Sequence, residues 1–357
     1  MAMIMWGLTA CKQDCACNQL EHDSSTVFKP AGLKTNSQQI HVSPHFLKLQ
    51  RPRSAFGVHL YLRDDRLYFV FVSSDGHLVF YNLRDTNEVH QTVFPFTASG
   101  NDPAMIRIIG DTLLIIPRKD NSFHKLVIQS DFTINEMQNL NLDTLIKKHG
   151  WSLSYNTNKF FDYVYPYLLI PYMKPREKKL YDDHAALLVN VTTGEARPVF
   201  PFPGCYSGCY LSHEAVSVAI SGNNLYGLFS NIGQFVHSKP DSNNFREMIL
   251  PGSGPHQPYD QKEARNLAYA RKYESLNESN VNVLTLEDGS IVMIKRLRRK
   301  SFYEPFQLRY YHYNTHDSLL HAGSFPKAFM YNMAIPFKNG FITVNDSLSK
   351  SYYYAMD

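Results

Sequence analysis

"VFPF" occupies residues 93–96, and the same four letters return at 199–202. So unusual a tetrapeptide marks two copies of one structural unit when its spacing is a multiple of a shorter period. Turn signals supply that period. Asp64 and Asp65, Gly110 and Asp111, Tyr165 and Pro166, Asn223 and Asn224, Asp288 and Gly289, and Asn339 and Gly340 each stand just ahead of a short apolar run, and they recur every 46 to 64 residues. The runs are "RLYFVFV", "TLLIIP", "YLLIPY", "NLYGLF", "SIVMIK" and "GFITV". Their length and their β-branched and aromatic content suit strands buried on both faces, and the flanking turns decide for strand over buried helix.

Around each run lie further candidate strands. One precedes the turn ("VHLYL", "MIRII", "KFFDYV", "AVSVAI", "VNVLTL", "FMYNMAI") and one follows the run ("HLVFYNL", "FHKLVI", "HAALLVNV", "GQFVH", "FQLRYYHY", "KSYYYA"). A fourth closes the cycle, and both VFPF copies fall there, as endings of outer strands two cycles apart. Proline is tolerated at such an edge, where a backbone donor can be spared. Four antiparallel strands repeated six times predict an all-β fold, a six-bladed β-propeller. The last cycle stops after its third strand, so the missing outer strand is expected from "TVFKP" (26–30) or "QIHVSPHFLKL" (39–49), which removes the last free edge. The long interval before "VNVLTL" holds "QKEARNLAYARKY", which predicts one helical insertion near 257–276. The domain division expected is a tether over 1–25 and a single propeller over 26–357.

Composition agrees with a folded body: 44% hydrophobic and 19% charged residues, with 23 Tyr and 23 Phe against 2 Trp. A formal charge of +4 is too small to imply a nucleic-acid partner. No run approaches the length of a membrane-spanning helix.

The start, "MAMIMWGLTAC", is an uncharged apolar run closing in small residues before a cysteine. Leu8, Thr9, Ala10 and Cys11 resemble the bacterial lipobox, which implies a lipid on Cys11 and attachment to a membrane. Lys12, Gln13 and Asp14 resemble the short signal that sends some lipoproteins of Gram-negative anaerobes to the outer face of the outer membrane. With its six cycles, the chain resembles the six-bladed, TolB-like propeller lipoproteins of those organisms, many of them in families of unknown function. The resemblance implies a fold and an address at the cell envelope, with surface display as a further expectation; fold alone implies no activity.

In a propeller the second-to-third turns and the links between blades emerge on one face. Those turns carry "PRKDNS", "YMKPREKKLYDD" and "KRLRRKSFYEP", and so place Arg118, Lys174, Arg176, Arg296, Arg298 and Arg299 on that face, along with Lys119, Lys178, Lys179, Lys295 and Lys300. Such runs are either solubilising charge or a surface attracting anionic glycan, phosphate or carboxylate groups, for which arginine gives bidentate recognition. The links add Trp151 and Tyr155, Tyr206 and His213, and His256 and Tyr259, aromatic and polar groups suited either to packing or to sugar and peptide recognition. Cys205 and Cys209 stand as free thiols, a disulfide or, least in keeping with their partners, a metal pair.

No nucleophile elbow, zinc-protease helix, phosphate loop or calcium loop occurs in the sequence, and no cofactor or metal is called for. In "YDDH" only Asp182 and His184 can share a strand face. Two functions fit: a monomeric, surface-anchored binding or scaffold module for a glycan or protein partner, and an exported lyase or glycoside hydrolase working in the central funnel.

Overall fold

A computed structural model describes residues 40–41, 59–73, 76–85, 87–94, 96, 104–117, 121–148, 152–153, 161–173, 184–202, 216–230, 233–251, 268–269, 278–299, 304, 307–326, 329, 334–344 and 350–356. Among them, six antiparallel sheets follow one another along the chain. From the axis outward, blade 1 is His59–Arg63, Arg66–Val72, His77–Asn82 and Val89–Val93. Blade 2 is Ala104–Ile109, Thr112–Pro117, Ser122–Ile128 and Ile134–Asn141. Blade 4 is Ser217–Ser221, Asn224–Leu228, Gln234–Ser238 and Phe245–Ile249. Blade 5 is Ser279–Thr285, Ile291–Arg296, Leu308–Tyr313 and Leu319–Ser324.

Blade 3 departs from this pattern on its inner edge. Its second strand, Tyr167–Met173, carries two short inner partners, Asp162–Val164 against Tyr167 to Leu169 and Ser152–Leu153 against Tyr172 and Met173. Among the described residues no inner partner is paired with Ile170 or Pro171, and the proline, which has no N–H to give, suits that position. His184–Asn190 and Ala196–Pro201 complete the blade.

Blade 6 closes the ring as expected. Ile335–Phe337, Gly340–Val344 and Lys350–Ala355 take their outer strand from the beginning of the chain, with Ile40 opposite Ser351 and His41 opposite Lys350. Of the helical insertion expected near 257–276, residues 268–269 are described and are helical. One other short helix, Asp143–Lys148, lies in the link from blade 2 to blade 3.

The second and third strands are largely buried because each has a neighbour on both edges and a blade on both faces; "RLYFVFV" and "TLLIIP" are buried over nearly their whole length. Side chains of alternating parity enter different seams. The result is six apolar clusters, one per seam, from Tyr61, Phe80 and Ile115 between blades 1 and 2 to Leu60, Phe69, Ile342 and Val344 between blades 6 and 1. The sixth cluster shows that the toroid is shut by packing as well as by strand pairing. Tight turns join first to second strands; Asp64 and Asp65 both take positive φ, the conformation of a type I′ hairpin.

Candidate functional site

The inner strands of all six blades surround an axial cavity of about 480 Å³. By register, Tyr61, Arg107, Asp162, Ala219, Leu284 and Ile335 hold the same position in successive blades. Four of these are apolar or aromatic, and the two charged ones are neighbours. Arg107 of blade 2 meets Asp162 of blade 3 at 2.8 Å and donates from Nη1 to the Phe161 carbonyl at 3.1 Å.

Asp162 is in turn committed to its surroundings. Its Oδ1 accepts from the Tyr163 amide at 2.8 Å and its Oδ2 from the Ile220 amide of blade 4 at 2.7 Å. The Ile220 carbonyl accepts from Thr285 of blade 5 at 3.1 Å. A chain of polar contacts thus ties blades 2, 3, 4 and 5 at the axis, using backbone groups on the free inner edges of the sheets. Since the Asp162 side chain is 3% exposed, removing Arg107 would strand a buried charge, the costly way to break such a pair.

His59 lines the same cavity from blade 1. Burial, and after it the nearby charge of Arg107, lower its pKa from 6.5 to about 3, so the imidazole stays neutral far into acid. Blades 6 and 1 add Ile335, Phe337, Leu60 and Leu62, and blade 5 contributes Leu284 and Leu286 together with the polar Asn282, Thr285 and Glu287. None of Arg107, Asp162 and His59 belongs to the site expected from sequence.

That expected site lies mostly beyond description. Arg118, Lys174, Arg176, Trp151, Tyr155, Tyr206, His213, His256, Tyr259, Cys11, Cys205 and Cys209 fall outside the described residues, as do Asp182 and Asp183. His184 opens the third strand of blade 3, in register with Pro201. The strand ends that lead into the three basic hairpins, Pro117, Met173 and Arg296, do lie at one end of their blades, since each finishes a second strand.

In blade 5 the cations are separately disposed. Lys295 is buried and paired with Glu278 at 2.5 Å; Arg299 is buried and donates to the Glu304 carbonyl at 3.0 Å; Arg296 is half-buried; Arg298 is exposed. Among the described residues no group of three His, Cys, Asp or Glu side chains is placed to hold a metal, and no helix is long and apolar enough to cross a membrane.

The fold and its axis define a six-bladed β-propeller with a partly ionic girdle. The chain is similar to a member of the DUF4221 family from Bacteroides vulgatus, with a TM-score of 0.60 at 12% identity over 92% of this chain and 97% of that one. It is similar also to virginiamycin B lyase from Staphylococcus aureus, with a TM-score of 0.48 at 8% identity over 91% and 100% of the two chains. BamB from Moraxella catarrhalis gives a TM-score of 0.38 at 10% identity over 83% and 84%. Identities this low carry a shared fold and no ligand or chemistry. No protein-family model matches the chain, and no curated protein matches it.

Proposed function

We propose that this propeller is an exported binding or scaffold module of the cell envelope, held at the membrane by a lipid on Cys11, that takes an anionic glycan, peptide or other anionic ligand on its loop face. One observation carries the reading: at the described basic hairpin, Lys295 and Arg299 are occupied by internal partners while Arg298 stands exposed at the end of the blade where the other two basic hairpins begin. An exposed arginine offers its planar fork to carboxylate or phosphate oxygens. The neutral His59 supports recognition over acid–base chemistry in the funnel, because a base with a pKa of about 3 takes up protons poorly at neutral pH.

A glycan array probed with the wild type and with Arg296→Glu/Arg298→Glu tests the face. Loss of binding to acidic glycans in the double variant is the expected result, and unchanged binding removes the reading. Arg299 is left intact in that test because it holds its own loop. Incorporation of labelled palmitate that disappears in Cys11→Ser checks the anchor.

A further inference from the structure

We infer that the axial cavity is a second binding site, separate from the basic loop face, for a small neutral molecule that presents a carbonyl or hydroxyl oxygen on an apolar body, with Arg107 as its anchor. The size fits: about 480 Å³ lies within the range of roughly 300 to 1,000 Å³ typical of small-molecule pockets. So does the division of the wall, with the Arg107 guanidinium on one side and Leu60, Leu284, Ile335 and Phe337 on the others.

Arg107 has capacity to spare. A guanidinium carries five N–H donors, and among the described residues those of Arg107 reach the Phe161 carbonyl and Asp162 Oδ1. Its side chain is 26% exposed where that of Asp162 is 3%, so Arg107, and not the carboxylate, meets an incoming molecule.

Charge selects the neutral class. Asp162 already offsets Arg107, and Glu287 is a second carboxylate on the same lining. An anion would meet a guanidinium whose charge the buried Asp162 already offsets, with the exposed Glu287 adding a further, solvent-screened repulsion. A neutral acceptor oxygen meets only the donors, while its apolar body covers the leucine and phenylalanine side of the wall.

The matched pair benzamide and benzoate tests this by saturation-transfer NMR on the full chain, one probe carrying a neutral carbonyl and the other a carboxylate on the same ring. Benzamide is expected to receive saturation and benzoate much less. Ile335→Trp fills the apolar side without touching the ion pair, and Arg107→Lys keeps the charge opposite Asp162 but loses the fork; each is expected to weaken benzamide binding by roughly tenfold. Arg298→Glu is expected to leave it unchanged, which separates this site from the loop face. No transfer to benzamide, transfer unaffected in both cavity variants that still melt cooperatively, or stronger transfer to benzoate would overturn the inference.

Discussion

The two VFPF copies end equivalent strands, yet they sit differently in their blades. In blade 1, Val93 is 67% exposed and opposes His77; Phe94 then turns into the seam with blade 2, where Phe96 meets its ring edge-on at 5.5 Å. In blade 3 Val199 opposes Ala186, two residues before Leu188, whereas His77 stands five before the equivalent Asn82 of blade 1, so this copy runs three residues deeper. Val199 is 3% exposed, and Phe202 packs against the seam between blades 3 and 4. Phe200 becomes an additional wedge in the seam between blades 3 and 4, fully buried and at φ 61.

A left-handed backbone costs an L-residue roughly 1–2 kcal/mol, and burying a phenylalanine returns about 1.5–3 kcal/mol. The wedge is therefore tenable only where the neighbouring blade makes room. Blade 4 does so with Gly227, where a Cβ would stand 2.7 Å from Phe200 Cδ2 and 2.9 Å from Val236 Cγ2. The register-equivalent residue of blade 2, facing the first copy, is Ile115. Identical tetrapeptides thus take their depth from the side chain opposite, and strand register here is set across the seam.

Removing the wedge should have the largest effect: Phe200→Ala is expected to cost about 4 kcal/mol, read as a lowered urea midpoint at constant slope, because it empties a space built for a ring. Acid probes a part of the ring that touches neither copy. The folded pKa of His59 lies near 3 against 6.5 in the unfolded chain, so below about pH 6.5 the unfolded state binds the extra proton. Stability should fall by about 1.4 kcal/mol per pH unit from there down to about pH 3. His312, whose pKa burial also lowers, acts in the same sense. Urea midpoints between about pH 7 and pH 4.5 should show a slope that flattens in His59→Gln; equal slopes would reject the assignment.

Gly227→Ala is expected to cost about 2 kcal/mol by pushing on the packed ring. Paired with Phe200→Ala it should cost less than the two apart by about 1 kcal/mol or more, and strict additivity would mean that glycine and wedge are unrelated. The smallest change belongs to the first seam, where Ile115→Val should cost about 1 kcal/mol and show no coupling to position 200.

The blades were legible because each carries its own punctuation. A turn pair such as Asp64–Asp65 followed by "RLYFVFV" needs no tertiary information to read as hairpin and buried strand. The closing strand was legible from a deficit, three strands in the last cycle and an unassigned "QIHV" at the front. Register was not, because four repeated letters do not say which residue of the neighbouring strand stands opposite them. The pair of short inner partners in blade 3 was hidden for a related reason: inner edges lack a partner that would impose a pattern.

The axial pair did leave a trace. Arg107 stands four residues before Asp111, and Asp162 four before Pro166, each a lone charge inside an apolar strand at the same phase of the repeat. Compared cycle by cycle, "MIRII" and "FFDYV" announce two opposite charges brought side by side. The basic hairpins, by contrast, were conspicuous from charge alone, and composition could not separate a Lys295 or Arg299 taken up internally from an Arg298 turned outward.

Ile40 is synthesised long before its partner Ser351. Blades 1 to 5 can assemble in the order in which they emerge from the ribosome, but the final clasp has to wait until Ser351 has emerged. Until then the growing protein is an open arc with a bare sheet edge at its trailing end, and whatever machinery handles the nascent chain must keep the leading segment free to find it.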